Sequence, residues 1–426
     1  MTQKINLILK EVLKNIEPSK EELEIIKSSL EEFLKKFGKK LRTSKINAEV
    51  FVGGSFAKKT MIKKDSYDID IFVRFDKRYG KNISDILEKI VKPMKAKKVH
   101  GSRDYFQIQK GNLIFELIPV IKIRNPKKAK NITDLSYSHV KYINKKIKSK
   151  ELLEEIKIAK AFCYANSCYG AESYINGFSG YSLELLIYYY KSFIKFIKAV
   201  LEVKEGKKII DIEKHHKTKQ DVLMDLNSSK LNSPIILIDP TYKQRNTLAA
   251  LSKETFEKFK KNCKKFLKNP SIKAFEIEKI DLKKMKDYAK KNKFDFALIK
   301  AKTSKQTGDV AGSKLLKFYR HLNFEISRFF EIKNKEFDYS GEKDAKYFFV
   351  VKNKKEILIK GPDIKSLKNV KAFREKHSNT FVKKSRIYAR ESTPKSLSEF
   401  INNWKKKNKQ KIKDMCIEEM KIIISD

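Results

Sequence analysis

The chain has 426 residues, with 97 Lys plus Arg against 52 Asp plus Glu, for a formal net charge of +45. That imbalance excludes halophilic and acidic ligand-binding roles, and its field attracts polyanions, either nucleic acid or an anionic membrane surface. With 41% hydrophobic residues, 28 Phe and 18 Tyr, it also excludes a disordered basic tail and predicts two to four folded domains at roughly 100–200 residues each. Only 11 of the basic residues are Arg; Lys is a point charge that follows phosphate, whereas bidentate reading of bases is chiefly an Arg property. Abundant Lys, Ile and Asn also follow from an AT-rich genome, which accounts for part of the excess. Four cysteines, Cys163, Cys168, Cys263 and Cys416, form no CxxC pair, so a structural zinc or disulfide framework is not predicted and a reducing compartment fits.

The N-terminal stretch alternates apolar and charged residues and predicts an amphipathic helix, not a signal peptide, in a cytoplasmic protein. Ser19-Lys20-Glu21-Glu22 has the form of a capping box, and apolar residues then recur at helical spacing from Leu23 to Phe37. Strands are predicted at Ala48–Val52, Tyr67–Phe75 and Leu113–Ile121, with Gly53-Gly54-Ser55 following the first. From Glu151 to Leu201 the pattern is helical; the apolar run from Leu183 to Val203 is broken by Lys191, Lys195 and Lys198, so it reads as a buried helix and not a membrane span. The Tyr188-Tyr189-Tyr190 run reads as core, and His215-His216 as exposed. Ser252 caps a further amphipathic helix that ends at Asn269-Pro270. Beyond it lie strand-like pieces at Phe294–Lys300, Lys346–Lys352 and Lys384–Arg390, a helix at Gly312–Phe330, and a nearly all-basic stretch from Lys405 to Lys413.

The chemistry concentrates between residues 53 and 116. In a strand, residues i and i+2 share a face at about 6.6 Å, so Asp68 and Asp70 present paired carboxylates while Ile69, Ile71 and Val73 face the other way. Two such groups repel unless cations lie between them, and hard oxygen ligands beside phosphate suit Mg²⁺. Backbone N–H groups released by glycines, with the Ser55 hydroxyl at a helix start, suit the phosphates of a nucleotide. Glu116, a carboxylate in an otherwise apolar strand, would complete a triad. Each part alone has a plainer explanation, since an acidic pair on an edge strand is usually a solvated face and Gly-Gly-Ser usually a turn; the combination is what carries weight.

Gly-Ser, then alternating Asp68 and Asp70 on the next strand, then a third acid in a later strand, resembles the polymerase-β-like nucleotidyltransferase superfamily. Further strings, Ala159 to Phe162, Tyr169 to Glu172, Gly177 to Tyr181, Glu184 to Leu186, Asp239-Pro240, Arg245-Asn246, Gly361-Pro362 and Arg386 to Tyr388, resemble in order the archaeal class I CCA-adding enzymes, which are tRNA nucleotidyltransferases. The resemblance implies an α+β multidomain fold: a nucleotidyltransferase head with a mixed sheet over 1–145, a helical central nucleotide-selecting domain over 146–258, and an α/β C-terminal tRNA-binding body with a tail over 259–426. It implies two Mg²⁺ ions on Asp68, Asp70 and Glu116, and triphosphate contacts from Ser55 and Lys58. It further implies ribose and phosphate contacts from His139, Lys160 and Tyr169, and a base-selecting Arg245. CTP and ATP would be the substrates, the tRNA acceptor stem and T arm the macromolecular partner, with no membrane and a possible homodimer. Two positions depart from the family pattern, Lys58 where Arg is usual and Glu116 where Asp is usual, and the loop Lys63 to Ser66 lacks a glycine common there. Two other activities stay open at this point: a poly(A) polymerase or oligoadenylate synthetase-like enzyme, and a catalytically decayed RNA-binding relative.

Overall fold

In the computed structural model, which describes residues 2–203 and 207–425, the lead-in is a pair of helices, α1 (Thr2–Ile16) and α2 (Lys20–Thr43). The capping box at Ser19 forms: Ser19 Oγ accepts from the Glu22 N–H, and Glu22 accepts from the Ser19 N–H. Next come β1 (Ala48–Val52), the single turn α3 (Gly54–Ala57), β2 (Tyr67–Phe75), α4 (Ile83–Val91), β3 (Lys97–Val99), β4 (Tyr105–Lys110) and β5 (Leu113–Ile121). The five strands form one sheet in the order β1-β2-β5-β4-β3, with β2 and β5 parallel and the other pairs antiparallel. Ile69, Ile71, Val73, Phe115 and Leu117 are fully buried against Leu30, Phe33 and Phe37 of α2 and Leu87 of α4. One face of β2 is therefore committed to the core, and strand alternation sends its carboxylates to the other.

Helices α5 (Ser136–Lys146), α6 (Lys150–Ala165), α7 (Gly180–Tyr190) and α8 (Phe193–Leu201) follow. Their core is aromatic, with Phe162, Phe178, Phe193, Phe196, Phe259 and Phe266 all buried together, and Ile5 and Leu9 of α1 join it. The apolar run expected as one helix is two, because Lys191 takes a left-handed conformation (φ +66°) that closes α7. Tyr189 is exposed, so only Tyr188 and Tyr190 of the tyrosine run pack against the core. Between α8 and the next long helix the central region carries a small sheet that the helical expectation omits: β6 (Lys208–Ile210), β7 (Ile235–Asp239) and β8 (Tyr242–Asn246), with α9 (Lys219–Asp225) inserted. β6 and β7 are short and β8 is polar (Tyr-Lys-Gln-Arg-Asn), so no periodicity announces them. His216 is not exposed; its ring lies between Asp211 and Asp225 at 2.9 and 3.2 Å, with a 3% exposed side chain. The expected border at 258/259 falls inside α10 (Lys253–Lys268), which buries Phe256, Phe259, Cys263 and Phe266 in the central core. By compactness the chain divides into two units, Met1–Glu278 and Lys279–Asp426.

The second unit contains α11 (Leu282–Asn292), β9 (Asp295–Thr303), α12 (Asp309–Phe329), β10 (Phe330–Tyr339), β11 (Asp344–Asn353), β12 (Glu356–Asp363), α13 (Leu367–Lys376), β13 (Thr380–Lys383), β14 (Arg386–Ser392), α14 (Leu397–Lys407), α15 (Lys409–Asp414) and β15 (Ile417–Ser425). An antiparallel sheet of order β10-β11-β9-β15 buries one face against α12 and α14 and the other against α11. A second sheet, β12-β14-β13, stands beside α13. The basic stretch at 405–413 is held by Trp404 and Ile412, which are buried in the core, while its lysines are exposed. Among the described residues no helix is long and apolar enough to cross a membrane.

Candidate active site

The parallel register of β2 on β5 sets Asp70 directly opposite Glu116, and Asp68 lies two residues along the same face. β2 is an interior strand between β1 and β5, so this acidic pair does not belong to a solvated edge. Gln107 of β4 is the next residue across and donates its side-chain N–H to Glu116 Oε1 at 2.7 Å. Burial raises the Asp70 carboxyl to about 6, with Lys58 opposing and Asp68 adding to the rise. Burial, then repulsion from Asp70, raises Glu116 to about 7 despite the Gln107 hydrogen bond. These are groups that want a positive charge beside them. As the side chains stand, no three His, Cys, Asp or Glu residues among the described residues close into a metal-binding cluster, and Gln107 holds Glu116 by one oxygen. The donor set nonetheless fits a hard divalent cation, being all carboxylate and confined to one sheet face.

The Gly-Ser turn is bonded to this strand. Gly53 N–H donates to the Asp70 carbonyl at 2.8 Å, and Gly54 sits at φ +62°, where a Cβ would come within 1.7 Å of Asp70 Oδ2. Only glycine fits both the conformation and the gap. The turn delivers Ser55, then Lys58 and Thr60, and here the head meets the central helices. Lys58 Nζ donates to Glu184 Oε2 at 2.7 Å, Lys160 Nζ of α6 donates to Glu184 Oε1 at 2.8 Å and to Thr60 Oγ1 at 2.7 Å, and Thr60 Oγ1 donates to Glu184 Oε1 at 3.0 Å. Lys160 is buried. Burial lowers its ammonium to about 8 while Glu184 pulls it back up. Burial also opposes ionisation of Glu184, but the charges of Lys160 and Lys58 outweigh it and hold that carboxyl at about 2. Tyr169 is on the same side: a methyl added at Gly180 would lie 2.8 Å from Tyr169 Oη and 3.8 Å from Lys160 Nζ.

A second buried carboxylate organises the remaining residues. Asp239, at the end of β7, lies 2.9 Å from His139 Nε2 and accepts from Arg245 Nη1 at 2.7 Å, Tyr181 Oη at 3.2 Å and both donors of Thr241 at 2.8 Å. Burial opposes its ionisation, but the His139 hydrogen bond and the charges beside it hold its carboxyl well below the usual range. His139 belongs to α5; burial lowers its pKa and favours the neutral ring, which stacks on Tyr181 at 4.1 Å. Arg245 lines a mostly apolar cavity of about 370 Å³ with Ile132, Leu135, Ala171, Thr247 and Ala250, and its Nε is buried with no hydrogen-bond partner among the described residues. A cavity of that size suits a small heterocyclic ligand.

The sequence model of the family described as "tRNA nucleotidyltransferase, second domain" matches residues 154–276, and that described as "Second Messenger Oligonucleotide or Dinucleotide Synthetase domain" matches residues 1–160. The chain is 35% identical over 345 residues to the CCA-adding enzyme of Nanoarchaeum equitans, covering 80% of this chain and 83% of that protein. It is 30% identical over 406 residues to the CCA-adding enzyme of Methanocaldococcus jannaschii, covering 90% of this chain and 87% of the relative. This chain belongs to the CCA-adding enzyme family. Among solved structures, a variant of the Cid1 poly(U) polymerase bound to MgATP matches with a TM-score of 0.51 at 13% identity, over 65% of this chain and all of that one, a likeness of fold: α+β with a nucleotidyltransferase-type head.

Within this CCA-adding enzyme the nine residues singled out from sequence fall into three adjoining groups. Asp68, Asp70 and Glu116 share the sheet face with Ser55 on the turn bonded to it, Lys58, Lys160 and Tyr169 lie around Glu184, and His139 and Arg245 around Asp239. Tyr181 lies between the last two groups, with its ring 6.0 Å from Lys58 Nζ and 5.9 Å from the Arg245 guanidinium. What sequence reasoning missed are the joints, namely Glu184, Asp239, Thr60 and Gln107. Glu184 did carry a signal, as a lone acid in the apolar run Leu183 to Ile187.

Proposed function

We infer that this chain builds and repairs the 3′-terminal CCA of tRNA, adding C, C and A from CTP and ATP without a template and releasing pyrophosphate, in the cytoplasm. The observation that carries the chemistry is the register that sets Asp70 against Glu116, beside a glycine turn too tight for any side chain, in a chain of this family. Asp68, Asp70 and Glu116 would hold two Mg²⁺ ions, which when bound supply charge neutralisation at the triphosphate and a more acidic tRNA 3′-hydroxyl. Ser55 and Lys58 would contact the triphosphate, His139, Lys160 and Tyr169 the ribose and phosphates, and Arg245 the base edge. Arg245 lines the 370 Å³ cavity with a buried N–H unspent, which supports its assignment to the base edge. The second unit would follow the A-form acceptor stem and T arm through its phosphates, the task for which a Lys-rich surface is suited. The family membership favours this activity over open-ended poly(A) synthesis.

The decisive experiment supplies Mg²⁺ and tRNA transcripts ending at the discriminator base, at C and at CC, with CTP and ATP offered separately. C should be added to the first two and a single A to the last; long A tracts would indicate a poly(A) polymerase, and tRNA binding without incorporation a binding protein. Asp70→Ala should abolish incorporation while leaving tRNA affinity within about twofold, and unchanged incorporation would overturn the metal assignment.

A further inference from the structure

Glu184 lies in a segment where a carboxylate is out of place. Ser182, Leu183, Leu185, Leu186 and Ile187 around it on α7 are all buried, and Glu184 itself is 0% exposed. An ionised carboxylate in such surroundings is costly unless it is paired and hydrogen-bonded. The pairing comes from far along the chain, from Lys58 and Thr60 in the segment after the Gly-Ser turn and from Lys160 on α6. Being fully buried, Glu184 cannot itself touch a substrate.

The balance of charge gives its role. One carboxylate faces two ammonium groups, so within the cluster itself one unit of positive charge is left over. An ammonium has three donors. Lys160 directs its bonds to Glu184 and Thr60, whereas the one side-chain hydrogen bond Lys58 makes among the described residues is to Glu184. Lys58 is 9% exposed, and Asp70 feels the charge of both lysines. The cluster is thus satisfied on its inner side, and its surplus positive charge lies toward the acidic sheet face, where it can meet a triphosphate.

We propose that Glu184 is a positioning residue for the triphosphate: it holds Lys58 and Lys160 charged and side by side, and it fastens the head's Gly-Ser turn to α6 and α7 so that Lys58 is presented with the charge of the buried Lys160 behind it. The proposal rests on the assignment of Lys58 and Lys160 as triphosphate contacts. It also explains how Lys serves at position 58 where the family usually has Arg. A guanidinium is oriented by its own planar fork, while an ammonium on a flexible stem needs an external anchor.

The test measures KM for CTP and for ATP, kcat, tRNA affinity and melting temperature for the wild type and for E184Q, E184D, T60V, K58M and K160M. E184Q keeps the shape but removes the charge, and it should raise KM for both nucleotides about tenfold or more, the size of effect expected when a charged group is misplaced. Affinity for tRNA should stay within about twofold, and E184D should recover part of the loss. T60V, which removes only the bridging hydroxyl, should give a smaller rise of the same kind. A purely structural role predicts instead that melting temperature falls while the nucleotide KM of the folded fraction stays at the wild-type value. If E184Q does not fold, E184D and T60V decide the matter, and wild-type nucleotide KM in both overturns the proposal. If K58M and K160M raise KM but folded E184Q does not, the positioning role is overturned while the lysine assignment stands. If neither lysine variant changes KM, the assignment on which the proposal depends has failed.

Discussion

Asp239 is shut away from solvent, and hydrogen-bond donors take the place of a hydration shell, the Arg245 guanidinium and the His139 ring among them. Replacing it with Asn keeps the volume but leaves the Arg245 guanidinium without its counter-ion and an amide N–H facing other donors. Asp239→Asn should cost about 3 kcal/mol of stability, the range for breaking a buried ion pair from one side, measurable by urea denaturation. Because Arg245 would no longer be held against the cavity wall, the kcat/KM ratio for CTP and ATP over UTP and GTP should fall by about tenfold or more in the folded enzyme; an unchanged ratio would remove Arg245 from base selection. The two kinds of site residue differ in how far sequence reveals them. Asp68, Asp70 and Glu116 are legible because strand alternation is a local rule, and an acid in an apolar strand violates it. Glu184 pairs with Lys58 126 positions away and Asp239 with His139 100 positions away, and no local pattern records a pairing of that kind.

Elements show the same division. β1, β2 and β5 lie where alternation and glycine punctuation put them, whereas the β6-β7-β8 sheet escaped because a three-residue strand and a polar one have no period to detect. The Gly-Ser turn is an element whose function is a matter of ångströms, and it supports a controlled prediction. Gly54 and Gly111 have nearly the same φ, +62° and +60°, but a Cβ at Gly54 would collide with Asp70 whereas one at Gly111 meets nothing within 4 Å. Gly111→Ala should therefore show the backbone cost alone, about 1–2 kcal/mol, with incorporation unchanged. Gly54→Ala should show the same backbone cost and also lose about 100-fold or more in kcat, because Asp70 must leave its place. Equal activities in the two variants would mean that the approach of turn to carboxylate has no part in catalysis.

At the scale of the whole molecule the +45 charge must be placed on a surface that a polyanion can reach. Some of the lysines are spent internally, as with Lys58, Lys160 and Lys405, whose ammonium donates to the Met420 carbonyl, but Trp404 and Ile412 anchor α14 and α15 with Lys406, Lys407, Lys409, Lys411 and Lys413 exposed. This is a shaped basic surface in place of a loose tail, and phosphate tracking by such a surface has a thermodynamic signature. Each phosphate neutralised releases condensed counter-ions, so the logarithm of the tRNA association constant should fall linearly with the logarithm of salt concentration, with a slope of about −0.7 to −0.9 per phosphate. Replacing Lys406, Lys407 and Lys409 with Gln should make that slope shallower by about one for each phosphate left without its lysine, while KM for CTP and ATP stays at its wild-type value, since none of the three belongs to the nucleotide site. Salt titrations of wild type and triple variant read both quantities. A slope that does not change would move the tRNA surface elsewhere on the molecule, and a tRNA affinity insensitive to salt would leave the charge excess to codon composition alone.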